Sequence, residues 1–348
     1  MRCIAVLNQK GGVGKTTSTV NVAAALARKG FRTLVIDLDP QAHATLHLGL
    51  MPGRSGPSMY EALTDNLPLE QVKKNVAKNL DVCGSHIDLA AAEVELITTV
   101  GREMILRDLL AAESENYDYV MLDCPPSLSV LTLNALCAAG EVIIPLQAHF
   151  LALHGLSKLL ETIHLVSKRV NKNLKVAGVV LCLFESGTRL GSEVVDDLDA
   201  FFDKRRNGAV PWAETKVFRT KVRRNIRLAE APSFGQSIFD YSPTSRGAED
   251  YAELCNELAG EVVTAVKPEN VDAATVTEPE VKAETIATPQ ASQAAEAESV
   301  SLPVVARPVP MPVVYQRPET TNFIPRPHLK AAGAVEPANL NEKNSQSS

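Results

Sequence analysis

The sequence predicts an α/β fold built on a doubly wound, mostly parallel sheet, followed by a C-terminal tail that cannot fold by itself. Three observations carry this expectation. Short β-branched apolar runs alternate with longer helical patterns, a glycine-rich loop joins the first such run to the first helical pattern, and the composition changes near residue 267. The apolar runs are residues 3–7, 33–36, 119–122, 142–144 and 176–183. They are apolar at nearly every position, as parallel strands covered on both faces must be. Helical patterns fall at 17–29, 90–112, 128–139, 151–170, 192–204 and 246–266. Strand-helix alternation makes a parallel sheet with helices on both faces, and ligands of such sheets bind beyond the carboxyl ends of the strands.

A chain of 348 residues has room for two or three domains, but the composition divides it into one body and one tail. Residues 267–348 hold 11 of the 21 prolines, only two aromatics, and seven basic against ten acidic side chains. Such a stretch buries too little to offset its ordering entropy, and it is expected to be a disordered or semi-extended tail. Residues 1–266 keep 28 basic and 31 acidic residues, enough chain for one large core. The apolar run at 3–8 breaks at once into Gln9-Lys10-Gly11-Gly12, which is not a signal peptide. No stretch approaches the ~20 apolar residues of a membrane-spanning helix, so a cytoplasmic protein is expected. Six scattered cysteines without a C-x-x-C pair read as reduced, mostly buried thiols.

The first strand candidate runs into Gln9-Lys10-Gly11-Gly12-Val13-Gly14-Lys15-Thr16-Thr17 and then into a helix. Strand, glycine loop, helix is the order that a phosphate cradle requires. Glycines let backbone N–H groups converge on oxyanions, and the helix N-terminus adds partial positive charge. Gly11, Gly12, Val13, Gly14, Lys15, Thr16 and Thr17 are therefore the nucleotide-binding candidates, with Lys15 reaching the β and γ phosphates and Thr16 placed for Mg²⁺. The fold expected is thus of the P-loop NTPase type. The first position of the usual motif is Gln9 here, not glycine.

Two acidic strand ends complete the candidate site. Asp37 and Asp39, in Asp37-Leu38-Asp39-Pro40-Gln41, fall on one side of the second strand's end by period-two alternation. One can hold the metal through water while the other orients the attacking water. The strand at 119–122 closes on Asp123, a Walker B candidate for Mg²⁺. Cys124, next to it, has no histidine nearby in sequence and reads as a packed thiol.

Lys10-Gly11-Gly12-Val13-Gly14-Lys15-Thr16-Thr17 resembles the deviant Walker A box of the ParA/MinD/nitrogenase-iron-protein group of P-loop ATPases, and Asp37-Leu38-Asp39-Pro40-Gln41 is similar to the D-x-D-P-Q box of ParA/Soj proteins. The stretch from Asp123 to Asn134 also looks like the segment after Walker B in the partition family. The resemblance implies that Lys10 reaches across an ATP-dependent homodimer to its neighbour's phosphates, that Asp39 activates or positions water, and that Asp37 lies near Mg²⁺. A second cation lent by a partner would couple dimerisation to hydrolysis. Lys10, Lys15 and Asp39 are then the catalytic candidates, and Thr16, Asp37 and Asp123 the metal candidates, with ATP and Mg²⁺ as cofactors.

Between Lys204 and Arg227 stand nine basic residues and one acid, on a chain of formal charge −6. Concentrated positive charge on an acidic protein is what phosphate backbones select, and without a base-reading module such binding is independent of sequence and sensitive to salt. Arg224-Asn225-Ile226-Arg227-Leu228-Ala229-Glu230-Ala231-Pro232-Ser233-Phe234-Gly235, Thr188-Arg189-Leu190 and the stretch from Tyr241 to Ala248 are similar to chromosomal ParA/Soj stretches. The resemblance places Arg189 and Arg227, with Arg224 beside them, on positions used for nonspecific DNA. Two departures stand out: Arg223 replaces a family proline, and residues 205–216, with Trp212, are longer than the usual connection. The resemblance covers residues 1–265.

The function this implies is a Mg-ATP-dependent, dimerising, nucleoid-associated ATPase that binds double-stranded DNA nonspecifically and partitions a chromosome or plasmid with a ParB-type centromere-binding partner. A MinD-like membrane-positioning ATPase is the first alternative, though the Pro-rich acidic tail is unlike a basic amphipathic helix, and no membrane partner is expected. ParA-like positioning of a protein cargo, an iron-protein-like reductase and a scaffold with silent chemistry are the others. The last conflicts with the presence of Lys10, Lys15 and Asp39.

Overall fold

A computed structural model describes residues 1–260 except 54, 55, 150, 151, 186, 188 and 207. The expected tail, the end of the last helical pattern and Thr188 lie outside the described residues. Eight strands form one sheet: β1 (Arg2–Val6), β2 (Thr33–Asp37), β3 (Lys73–Ala77), β4 (Leu80–Cys83), β5 (Tyr119–Asp123), β6 (Glu141–Gln147), β7 (Lys175–Cys182) and β8 (Lys216–Val217). Their order is β3-β4-β2-β5-β1-β6-β7-β8, and every pairing is parallel except β3 with β4. The five strands expected from apolar runs are the five central ones apart from β4. The others escaped notice for a physical reason. β3 is a polar edge strand, Lys73-Lys74-Asn75-Val76-Ala77, with no residue fully buried, β4 is short and carries Asp81, and β8 has only two residues.

The helices are α1 (Lys15–Arg28), α2 (His43–His47), α3 (Met59–Thr64), α4 (Leu69–Val72), α5 (Leu89–Glu95), α6 (Ile105–Ala111), α7 (Val130–Ala138), α8 (Ala152–Arg169), α9 (Arg189–Asp203), α10 (Ile226–Glu230), α11 (Ile238–Tyr241) and α12 (Arg246–Ala259). One expectation fails: the single helix at 90–112 is two. After α5 and a short turn at Leu96–Thr98 the backbone is extended at Thr99 and Gly101 takes φ +73°, a left-handed conformation that a helix cannot accommodate. α6 then restarts because Asn134 of α7 accepts the Leu106 N–H at 3.0 Å, a cap supplied from a different element.

Two buried clusters line the two faces of the sheet. One gathers Leu34, Ile36, Leu122, Ile144 and Leu181 beneath α7 and α8; the other packs Ile4, Val6, Met121 and Val180 against α1 and α12. Strand residues thus alternate between faces while remaining wholly buried, which explains the unbroken apolar runs. β1 lies between β5 and β6, where the strand order reverses, and the glycine loop leaves its carboxyl end there.

Candidate functional site

The loop after β1 is open where a phosphate would enter. A Cβ at Gly11 or Gly12 would meet nothing within 4 Å, and Gly12 and Gly14 have φ of +72° and +96°. Gly14 also sits so close to β7 that a Cβ there would lie 3.3 Å from that of Cys182. No side chain caps α1 and no acid stands in its first turn, so its leading N–H groups face the loop unneutralised.

Lys15 is buried at 7% exposure, and its Nζ donates to the Lys10 carbonyl at 3.1 Å. Burial holds its pKa below the usual lysine value, with Asp123 and Asp39 partly offsetting the effect. An enclosed ammonium that makes no ion pair among the described residues is costly, and the anion suited to this loop would relieve it. Lys10, one turn of loop away, points outward: it is exposed and its Nζ lies 2.8 Å from Nε2 of His149. His149 is held below the ordinary histidine pKa by burial and by Lys10, so the neutral ring accepts the lysine proton.

Across the loop, Thr16 Oγ1 donates to Asp123 Oδ2 at 2.8 Å, and Thr19 Oγ1 donates to Asp123 Oδ1 at 3.1 Å. Asp37 stands opposite Asp123 in the β2–β5 register. Both carboxylates are wholly buried, and burial raises both pKa values, helped at Asp123 by the charge of Asp37 and at Asp37 by that of Asp39. A divalent cation removes that conflict, so Thr16 and Asp123 fit Mg²⁺. Among the described residues no three His, Cys, Asp or Glu side chains are grouped to enclose a metal.

Asp37 departs from the metal role alone. Its Oδ2 accepts Thr45 N–H at 2.8 Å and Thr45 Oγ1 at 2.7 Å, and its Oδ1 accepts Asp39 N–H at 3.1 Å. It therefore fixes α2 and the turn carrying Asp39. Asp39 is buried at 8% exposure and accepts the Gln41 N–H at 2.9 Å. Sequence reading missed Thr19, Thr45 and His149. Thr19 could have been found, since it lies three residues beyond Thr16 on the same helix face, whereas Thr45 and His149 come from other elements. Cys124 is buried with its pKa raised by desolvation, and all six cysteines are buried free thiols.

The basic region is less positive than its sequence. Arg223 donates its backbone N–H to Asp250 Oδ2 at 2.9 Å and its guanidinium to Asp250 and Glu249, so it is fastened to α12. A proline at this position could not make the first of these bonds. Arg206 pairs with Asp203 and Lys216 with Glu257, both acids from outside the window. Arg224 pairs with Glu185 at 2.9 Å, Arg227 with Glu230 at 2.8 Å and Arg189 with Glu193 at 2.8 Å. These three arginines come from neighbouring stretches past the carboxyl end of β7, since the Arg224 N–H donates to the Phe184 carbonyl at 3.2 Å and Arg189 opens α9 just beyond. Their side chains are 63%, 53% and 93% exposed.

A lysine enclosed by its own glycine loop at the switch point of a parallel sheet, facing a threonine-aspartate pair, defines a P-loop nucleotide hydrolase. A family model described as an AAA domain matches residues 1–176. The chain is 44% identical to the sporulation initiation inhibitor protein Soj of Bacillus subtilis, over 74% of this chain and 98% of that protein. It is 43% identical to the chromosome partitioning protein ParA of Myxococcus xanthus, over 74% and 87% respectively. Among solved structures, cobyrinic acid a,c-diamide synthase from Mycobacterium smegmatis with bound ATP analog and magnesium superposes with TM-score 0.63 at 34% identity, covering 74% of this chain and 94% of that one. MinD from Pyrococcus horikoshii with Mg-ADP, 19% identical with TM-score 0.59 over 74% and 95%, shares the fold. The chain belongs to the ParA/Soj family of chromosome-partitioning ATPases. It is an ATPase whose ligands are ATP and Mg²⁺, and it serves ATP-dependent partitioning. Among the described residues no helix is long and apolar enough to cross a membrane.

Proposed function

We propose that this ATPase acts as a DNA-bound switch: two copies close on ATP, the closed pair holds duplex DNA without regard to sequence, and hydrolysis, stimulated by a ParB-type partner, releases it. The observation that carries this reading is the division of labour between two lysines of one loop. Lys15 is turned inward to the phosphate loop, and Lys10 is exposed on its outer side against His149. Backbone N–H groups from Gly11 to Thr17 and the Lys15 ammonium hold the phosphates, Thr16 and Asp123 hold the metal, and Asp39 orients water for attack. The bound Mg²⁺ supplies charge neutralisation at the phosphate oxygens. Lys10 must leave His149 to enter the partner's site, and exchanging one exposed contact for a phosphate is inexpensive.

The DNA face follows the same logic. Arg189, Arg224 and Arg227 each pair with one exposed carboxylate, and surface pairs of this kind contribute roughly 0–1 kcal/mol. Phosphate oxygens can displace those carboxylates with little loss, giving salt-dependent affinity without base readout. The positions of these arginines in ParA/Soj-like stretches support the assignment. Sedimentation of the full chain with a non-cleavable ATP analogue tests the switch. Wild type is expected to dimerise and then bind duplex DNA, and Lys10→Ala to bind ATP yet lose DNA-stimulated turnover. A chain that stays monomeric with the analogue refutes the scheme.

A further inference from the structure

The sheet has a second end, opposite the nucleotide loop, and the loop at residues 208–215 lines a cleft there. Its walls are the last turns of α8 (His164, Lys168), the turn before β7 (Lys172), the first residue of β7 (Lys175) and the loop that reaches Glu214, and its volume is about 660 Å³, within the range of small-molecule sites. The loop is held in place. Its Pro211 carbonyl accepts the Val176 N–H at 2.8 Å, Thr215 Oγ1 donates to the Val176 carbonyl at 2.8 Å, and Trp212 is packed into the main core at 7% exposure. The cleft is thus formed before any ligand arrives.

Its chemistry is one-sided. Three lysines and a histidine face one carboxylate, and among the described residues none of Lys168, Lys172 and Lys175 is in an ion pair. This occurs on a chain with more acids than bases, where carboxylates were available to neutralise them. His164 stands edge-on to Trp212 with ring centroids 5.8 Å apart, and its Nδ1 is buried without a hydrogen-bond partner among the described residues. Three lysines gathered around one concavity, with no ion pair of their own among the described residues, make a positive patch that favours an anion. Leu174, Val210 and Pro211 add an apolar wall, and Glu214 adds an acceptor for a hydroxyl or amino group.

We propose that this cleft is a second ligand site, separate from the P-loop, for a nucleotide-sized organic phosphate. The lysines take the phosphates, the apolar wall takes the base or sugar, and Glu214 disfavours a bare inorganic anion. Duplex DNA is a poorer occupant, because its phosphates lie on a convex surface and cannot converge within a concave cleft. β7 places the two sites far apart: Lys175 opens the strand at the cleft, and Cys182 closes it against Gly14 seven residues on, roughly 23 Å at strand rise.

Equilibrium dialysis of the full chain against labelled Mg-ADP at low salt tests the assignment with crossed variants. Wild type is expected to bind two equivalents. Lys15→Gln is expected to keep only the cleft equivalent, and the triple variant Lys168→Gln, Lys172→Gln, Lys175→Gln only the P-loop one, its second-site affinity falling at least tenfold. Because these lysines are on the surface, the retained equivalent in the triple variant reports a folded chain. Parallel dialysis with AMP and with inorganic pyrophosphate separates the sources, and AMP is expected to bind the Lys15→Gln chain more tightly. One equivalent in wild type, two undiminished equivalents in the triple variant, or preference for pyrophosphate overturns the proposal. So does a wild type that binds one equivalent while the triple variant loses duplex affinity, which would make the cleft part of a DNA contact.

Discussion

The molecule carries two concentrations of charge, and they are built in opposite ways. At the nucleotide end Lys15, Asp37, Asp39 and Asp123 are all below 9% exposure and are tied into each other's surroundings by hydrogen bonds to Lys10, Thr16, Thr19 and Thr45. Past the end of β7, Arg189, Arg224 and Arg227 are more than half exposed and each rests against one carboxylate. Buried charge is expensive and persists where a ligand or metal will complete it, whereas exposed charge costs little. Substitutions should therefore cost much at the first region and little at the second, and that contrast can be broken experimentally.

The largest effect is expected from Lys15→Ala. Removing the enclosed cation should lower ATP turnover by about 10³-fold with a parallel loss of nucleotide affinity, measured by phosphate release and by dialysis. A variant within tenfold of wild type would mean that burial of Lys15 is structural. His47 extends the contrast to a buried group outside the chemistry. Burial pushes its pKa down to about 4, only partly opposed by a hydrogen bond with the Gln236 backbone. Because the unfolded chain takes up this proton near pH 6.5 and the folded chain only near 4, stability is complete above the unfolded value and is lost as pH falls between them, by about 3 kcal/mol. Urea unfolding at pH 7 and near pH 4 should show this acid loss in wild type and a smaller one in His47→Gln.

Asp39→Asn comes next. It should reduce turnover by about 10²-fold while leaving Mg-ATP affinity near wild type if, as proposed, Asp39 orients water and does not hold phosphate. Equal losses of binding and turnover would move Asp39 into the binding shell. The smallest effect is expected on the exposed side. Arg227→Ala should weaken duplex binding several-fold for every sequence and make the salt dependence shallower by about one unit in log-log slope. An unchanged affinity across a salt series would remove Arg227 from the DNA face, while an unchanged slope with weaker binding would indicate a contact to something other than phosphate.

The two regions also differ in how far they were legible. The P-loop is read from consecutive residues because its geometry is local: glycine φ values, a helix start and one lysine lie within nine positions. The two acidic strand ends were legible because parallel strands place their carboxyl ends side by side, and the Asp37–Asp123 pairing is that register. The basic window misled in part. Counted along the chain it is strongly positive, yet Arg223 belongs to Asp250 of α12 and Lys216 lies beside Glu257, both more than twenty residues away.

Sequence alone determined what depends on neighbours along the chain: the apolar runs that must be parallel strands, the glycine loop, the order of lysine, threonine and aspartates, and hence an ATPase of this family. Tertiary structure decided what depends on elements meeting in space. It restarted a helix at Ile105 by bringing Asn134 to Leu106, and it engaged Asp37 with Thr45. It set Lys10 against His149, and it placed three lysines around a cleft that the loop at residues 208–215 completes. The reason is physical. Backbone conformation and burial pattern are written in short-range sequence, but a hydrogen bond or charge is satisfied by whichever group folding brings within ~3 Å, and no local pattern names that partner.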